Sequence, residues 1–224
     1  MKKYNKKIIK YDIIIFVNKD VYYMYVLAKS VLALMIGFIA SVVLGLVFIP
    51  WLRKLKVGQK TSVFVKAHEK KSGTPTMGGI IFIVSTIFTI LFLCFTNKLK
   101  ISSNLLIILF VFFGYGLIGF VDDFLKVKYK CNEKGLTRMQ KFLAQVVIAI
   151  MFFYIYIRNG SNPEIEIYAL HLKINLGFMY GFFILFMLVG TSNAVNLTDG
   201  LDGLAAGLSA IAIMVYGMIA WNSG

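Results

Sequence analysis

Stretches of roughly 20 apolar residues recur along the chain, near 26–49, 78–96, 104–121, 142–158, 174–192 and 201–221. Each is about the length needed to cross a hydrocarbon core some 30 Å thick. In lipid a segment must satisfy its own backbone hydrogen bonds, and a helix does so within itself. The spacing predicts an all-α, polytopic membrane helix bundle with six spans. Most stretches end at polar punctuation such as Pro50-Trp51, Asn97-Lys98 and Arg158-Asn159-Gly160. Charged residues make up only 15% of the chain, against roughly 25% in soluble domains. A net charge of +14 would point to nucleic acid in a soluble protein. Here the lysines cluster between apolar runs, as they do in cytoplasmic membrane loops. Cys94 sits in an apolar run and Cys131 in a lysine-rich loop, so the pair forms no disulfide or metal framework.

The basic residues orient the chain. The loop after the first span carries Arg53, Lys54, Lys56, Lys60, Lys66, Lys70 and Lys71. The loop after the third carries Lys126, Lys128, Lys130, Lys134, Arg138 and Lys141. The loops after the second and fourth hold only Lys98, Lys100, Arg158 and Lys173. Thirteen against four places the odd-numbered loops in the cytoplasm. Residues 1–29, with seven lysines, disagree with an outer N-terminus. The expectation that reconciles them is a functional start at Met24, with 1–23 an extension and 24–224 the membrane domain. An extended tail or a short surface helix over 1–23 accounts for the same residues equally well.

With this orientation three polar clusters fall on one membrane face. KKSGTPTMGG (70–79) enters the second span. Thr74, Pro75 and Thr76 fix a turn, and the glycines permit close backbone approach. A helix N-terminus beside two lysines can seat a phosphate, although a helix cap with a basic anchor explains the segment as well. GFVDDFLKVKYK (119–130) closes the third span with Asp122 and Asp123. Adjacent acids at a membrane edge suit Mg²⁺, which takes one or two carboxylates and fills its shell with water and substrate phosphate. A helix end salt-bridged to Lys126 is the plainer alternative. NAVNLTDGLDGLAAG (193–207) holds Asn193, Asn196, Asp199 and Asp202. The two acids, three apart, share a face if helical, and the amides suit a base edge or a sugar hydroxyl. Capping of the next helix by Thr198 or Asp199 is the bland account. It leaves the second acid and both asparagines unexplained. His68 adjoins the first cluster, but a lone loop histidine is ordinarily just solvated, and His171 has no assigned role.

Together the three clusters resemble the signature loops of the polyprenyl-phosphate N-acetylhexosamine-1-phosphate transferase family, and the GTPTMGG form resembles its phospho-N-acetylmuramoyl-pentapeptide transferase branch. The resemblance runs from about residue 24 to the end. It implies transfer of phospho-MurNAc-pentapeptide from UDP-MurNAc-pentapeptide to undecaprenyl phosphate, giving lipid I and UMP for peptidoglycan synthesis at the bacterial inner membrane, with Mg²⁺ required. By motif position Asp122 engages the lipid phosphate, Asp123 supports it, and Lys71 and Thr76 hold phosphate or substrate, with Lys130 and Arg138 as further basic candidates. Asn193, Asn196, Asp199 and Asp202 match the nucleotide- and diphosphate-binding loop. Among the acids present, Asp122 and Asp199 are the candidate Mg²⁺ ligands. Related membrane transferases lead to the expectation of a homodimer. Family members have ten spans, and their later loops add a further metal-binding aspartate and a His-rich segment. The chain is therefore expected to be C-terminally truncated, with its own activity in doubt.

Three rivals stand beside this reading. A relative using another UDP-N-acetylhexosamine shares most of the motifs. The CDP-alcohol phosphotransferase pattern D-x-x-D-G-x-x-A-R fits Asp199, Asp202, Gly203 and Ala206, but Gly207 stands where its arginine is needed. A transporter, or an inactive fragment, would also carry acids near spans, although a transporter predicts them at the midplane.

Overall fold

The computed structural model describes residues 2–54, 77–129, 134–167, 170, 172–201 and 203–223, with side chains from Val21 to Trp221. Six helices and one hairpin follow in order: α1 (Lys2–Lys54), α2 (Gly79–Phe95), α3 (Ser103–Tyr129), α4 (Arg138–Arg158), β1 (Glu164–Ile167), β2 (Leu172–Asn175), α5 (Met179–Thr198) and α6 (Leu204–Ser223). Val21–Lys54, α3, α4, α5 and Leu204–Trp221 are each long and apolar enough to cross a membrane. α2, at 17 residues, lies at the short end of that range. The helices keep large apolar side chains on their outer faces, among them Leu46, Phe95 and Phe186. Water does not tolerate such coverage in a stable monomer, whereas lipid does. The chain is a multi-pass membrane protein.

The packing divides into two compact units, residues 1–102 with 122–135, and residues 103–121 with 136–224. In the first, α1 lies against α2. Small residues carry this contact: the Ser41 and Ser85 hydroxyls hydrogen-bond at 2.7 Å, and a Cβ at Gly37 would stand 3.4 Å from Thr89 Oγ1. Close approach through Gly and Ser is how helices pack where lipid removes any hydrophobic drive between them. In the second unit α4 packs on α5, and α5 on α6. Gly181 of α5 admits the Phe153 ring, which a Cβ there would meet at 2.9 Å, and the Tyr156 and Tyr180 rings stack at 5.6 Å.

Several boundaries depart from the sequence expectation, each for a local reason. α1 continues unbroken from Lys2, so the helix does not begin near Met24. α4 begins at Arg138 because Thr137 and Gln140 form a reciprocal capping box. α3 runs on to Tyr129, which places Asp122 and Asp123 inside a helix instead of at its end. The fifth span starts at Met179, since Leu172–Asn175 pairs as an antiparallel strand with Glu164–Ile167. Both segments alternate apolar and polar residues, the period of a strand. Their exposed ion pair, Lys173 to Glu166 at 3.2 Å, adds little stability.

Candidate functional site

Asp122 and Asp123 occupy α3 one helical turn before Lys126. The Lys126 ammonium donates to Asp122 Oδ2 at 2.7 Å and lies 3.6 Å from Asp123 Oδ1. The salt bridge expected of the plainer reading is thus present, but it is not a surface pair, because the Asp122 side chain is only 8% exposed. A buried carboxylate is stable only while its partner stays in place.

Two further contacts fix these acids. Met77 has φ 69°, a left-handed conformation rare outside glycine. In that conformation its backbone N–H donates to Asp123 Oδ2 at 3.2 Å. Met77, in the GTPTMGG stretch, is in this way tied to the acidic pair. Gly135 closes the arrangement from the other side, since a Cβ there would sit 2.5 Å from Asp122 Oδ1 and 2.8 Å from Lys126 Cε. The lysine chain can move aside, but a carboxylate clamped by its ammonium cannot do so without losing that bond. Gly135→Ala should therefore dislodge Asp122 and cut turnover by about 100-fold while leaving the helices intact. Circular dichroism beside a turnover assay checks this, and normal turnover would remove Gly135 from the site.

In the second unit the last turns of α5 carry Asn193 and Asn196, with Asp199 at its C-cap. Thr198 does not cap α6, because its hydroxyl turns back to the Ala194 carbonyl at 2.8 Å. Asp199 is exposed where the helix dipole is negative. A carboxylate there is disfavoured by about 0.3–1 kcal/mol unless a cation is at hand. Asp199 is the C-cap of α5 and not helical, and the face expected to be shared with Asp202 lies outside the described residues. Asn193 is exposed, but its amide is held: Nδ2 donates to Gln145 Oε1 and to the Val189 carbonyl, both at 2.8 Å. Asn196 is exposed and, among the described residues, makes no side-chain hydrogen bond. Arg138, the first residue of α4, is exposed. Lys71, Thr76, Lys130 and Asp202 lie outside the described residues.

Among the described residues no three His, Cys, Asp or Glu side chains gather as a metal centre. At Asp122 Oδ2 an ammonium stands where a cation would bind. Asp199 does fit one, as an exposed carboxylate at a negative helix end, in the manner of Mg²⁺ held by a single acid and completed by phosphate. Sequence reading missed Gly135, Met77 and Gln145. For Gln145 the signal was available, as a polar residue in the middle of an apolar span.

A glycosyl transferase family 4 profile matches residues 105–224, and a phospho-N-acetylmuramoyl-pentapeptide-transferase signature matches residues 71–83. The chain belongs to glycosyl transferase family 4. The signature takes in Met77 and reaches into α2, and the family match takes in Asp122, Asp123, α5 and α6. Curated relatives named phospho-N-acetylmuramoyl-pentapeptide-transferase are 50% identical in Geobacillus sp. (strain WCH70), over 87% of this chain and 60% of the relative. One from Bacillus subtilis (strain 168) is 47% identical over 84% of this chain and 58% of the relative. The chain thus spans about 60% of the length of the curated relatives it matches.

Proposed function

We propose that this protein transfers phospho-MurNAc-pentapeptide from UDP-MurNAc-pentapeptide to undecaprenyl phosphate, forming lipid I and releasing UMP, at the cytoplasmic face of the bacterial inner membrane. The observation that carries the reading is the Met77–Asp123 hydrogen bond, which joins the signature turn to the paired acids. Met77 lies in the phospho-N-acetylmuramoyl-pentapeptide-transferase signature, and Asp123 lies in the glycosyl transferase family 4 match.

In phosphoryl transfer the protein mainly positions groups and neutralises charge. An oxygen of the lipid phosphate attacks the sugar-linked phosphorus, a new P–O bond forms, and the bond to the UMP oxygen breaks. A phosphate monoester has a second pKa of about 6, so the nucleophile is already largely dianionic near neutrality. Asp122 then has more to orient than to deprotonate. Its negative charge would repel that dianion were Lys126 not beside it, and an ammonium with three N–H donors can serve both. Asp123 is anchored through Oδ2 on Met77 N–H, which leaves the closer contact with the lysine to Asp122. Lys71, Thr76, Lys130 and Arg138 hold phosphate or substrate, and Asn193, Asn196 and Asp202 hold the nucleotide sugar. Asp199 would hold Mg²⁺, which supplies charge neutralisation on the diphosphate when bound.

Substrate choice tests the reading. Membranes containing the full-length protein should convert UDP-MurNAc-pentapeptide and leave UDP-GlcNAc untouched. Turnover of UDP-GlcNAc alone would move the protein to the other branch, and turnover of neither would remove the enzymatic reading.

A further inference from the structure

In the second unit a polar chain reaches Asn193 through Gln145, a residue the mechanism above does not use. Gln145, 7% exposed in the middle of α4, accepts from Asn193 Nδ2 through Oε1 and donates through Nε2 to Ser192 Oγ at 3.2 Å. Its backbone carbonyl accepts the Tyr115 hydroxyl of α3 at 3.4 Å. The sense of the side-chain bonds follows from one group that cannot flip. The Val189 carbonyl is only an acceptor, so the Asn193 atom 2.8 Å away must be the amide nitrogen. The second hydrogen of that nitrogen then requires an acceptor on Gln145, which fixes Oε1 toward Asn193 and Nε2 toward Ser192. Both Asn193 donors are consumed. Oδ1 is left over as an acceptor, and among the described residues no donor meets it.

We propose that Gln145 is a positioning residue that locks the Asn193 amide with its oxygen toward the ligand, so that this position reads a hydrogen-bond donor on the uridine or sugar part of the nucleotide-sugar and not the diphosphate. The chemistry is restrictive. A diphosphate offers only acceptors to a protein amide, whereas a uracil N3–H or a sugar hydroxyl donates. Without Gln145 only the Val189 carbonyl holds the Asn193 amide, and the C-terminal end of α5 loses this polar tie to α4. The inference rests on the transferase reading given above.

The test uses the full-length protein in detergent or membranes. Gln145→Leu fills the space and removes both bonds. The KM for UDP-MurNAc-pentapeptide should rise about tenfold, the effect of losing one well-placed hydrogen bond, with kcat and the KM for undecaprenyl phosphate unchanged. Inhibition by uridine should weaken in parallel, and inhibition by inorganic pyrophosphate should not. Gln145→Glu keeps an acceptor for Asn193 and can take the Ser192 hydroxyl as a donor, so it should restore KM to within about threefold. The double variant with Asn193→Ala should be no weaker than Asn193→Ala alone, because residues acting through one another are not additive. A fall in kcat with KM intact, additive losses, or weakened pyrophosphate inhibition would overturn the proposal. Hydrogen exchange over residues 189–199 gives a readout independent of activity: it should quicken in Gln145→Leu and return in Gln145→Glu. If the unsubstituted protein releases no UMP, the transferase reading fails, while unchanged exchange in Gln145→Leu refutes the lock itself.

Discussion

Asp122→Asn in the full-length protein is expected to abolish UMP release, with turnover falling about a thousandfold, inside the 10²–10⁴ range of positioned acid–base groups. The substitution keeps the shape of the side chain, removes its charge and exchanges one acceptor oxygen for a donor NH2. Lys126 is the partner left behind, and its side chain, 20% exposed, has a route to water. The folded protein should therefore survive, which makes the activity loss interpretable. Turnover measured at saturating undecaprenyl phosphate, together with a thermal melt, checks both halves. Near-normal turnover would show that Asp122 neither orients nor deprotonates the lipid phosphate.

The opposite substitution has the opposite signature. Lys126→Met takes the ammonium away from the buried Asp122 carboxylate, and breaking such a pair from one side costs about 3–5 kcal/mol. The penalty falls on the acid because its side chain is only 8% exposed and has Gly135 packed against Oδ1. Lys126→Met should lower the midpoint of thermal unfolding in detergent by several degrees and also lose activity. Lys126→Arg, which keeps a cation, should recover most of the stability. Raising Asp122→Asn onto Lys126→Met should restore stability without restoring turnover, since the buried charge is then gone. A Lys126→Met protein as stable as the parent would mean the pair is solvated after all.

These two expectations show what the sequence could and could not reveal. The six apolar helices, five of them long enough to cross a membrane and α2 shorter, were legible because apolar runs near 20 residues admit almost no other structure in lipid. The acidic pair was legible as chemistry, and Lys126 even as its partner, because i,i+4 neighbours on a helix meet. The hairpin over Glu164–Asn175 went unread although its alternation is plain, because four-residue strands fall below the scale of the spans around them. Gly135 and Met77 could not be found locally, since what matters at each is a contact with α3 set by the fold. Gln145 meets Asn193 across 48 positions of sequence, a separation at which no periodicity speaks. Whether Thr198 caps the next helix was open in the sequence because Ser and Thr hydroxyls near a helix end can turn either way, and only the backbone geometry decides.

The central claim is the reaction, and the most direct measurement follows both products. Full-length protein in vesicles is given UDP-MurNAc-pentapeptide labelled in the sugar and undecaprenyl phosphate, with Mg²⁺ present. The account predicts label appearing in a diphosphate-linked lipid with one UMP released for each lipid formed, and neither product when undecaprenyl phosphate is omitted. Release of UDP in place of UMP, or label that never enters the lipid, would contradict it.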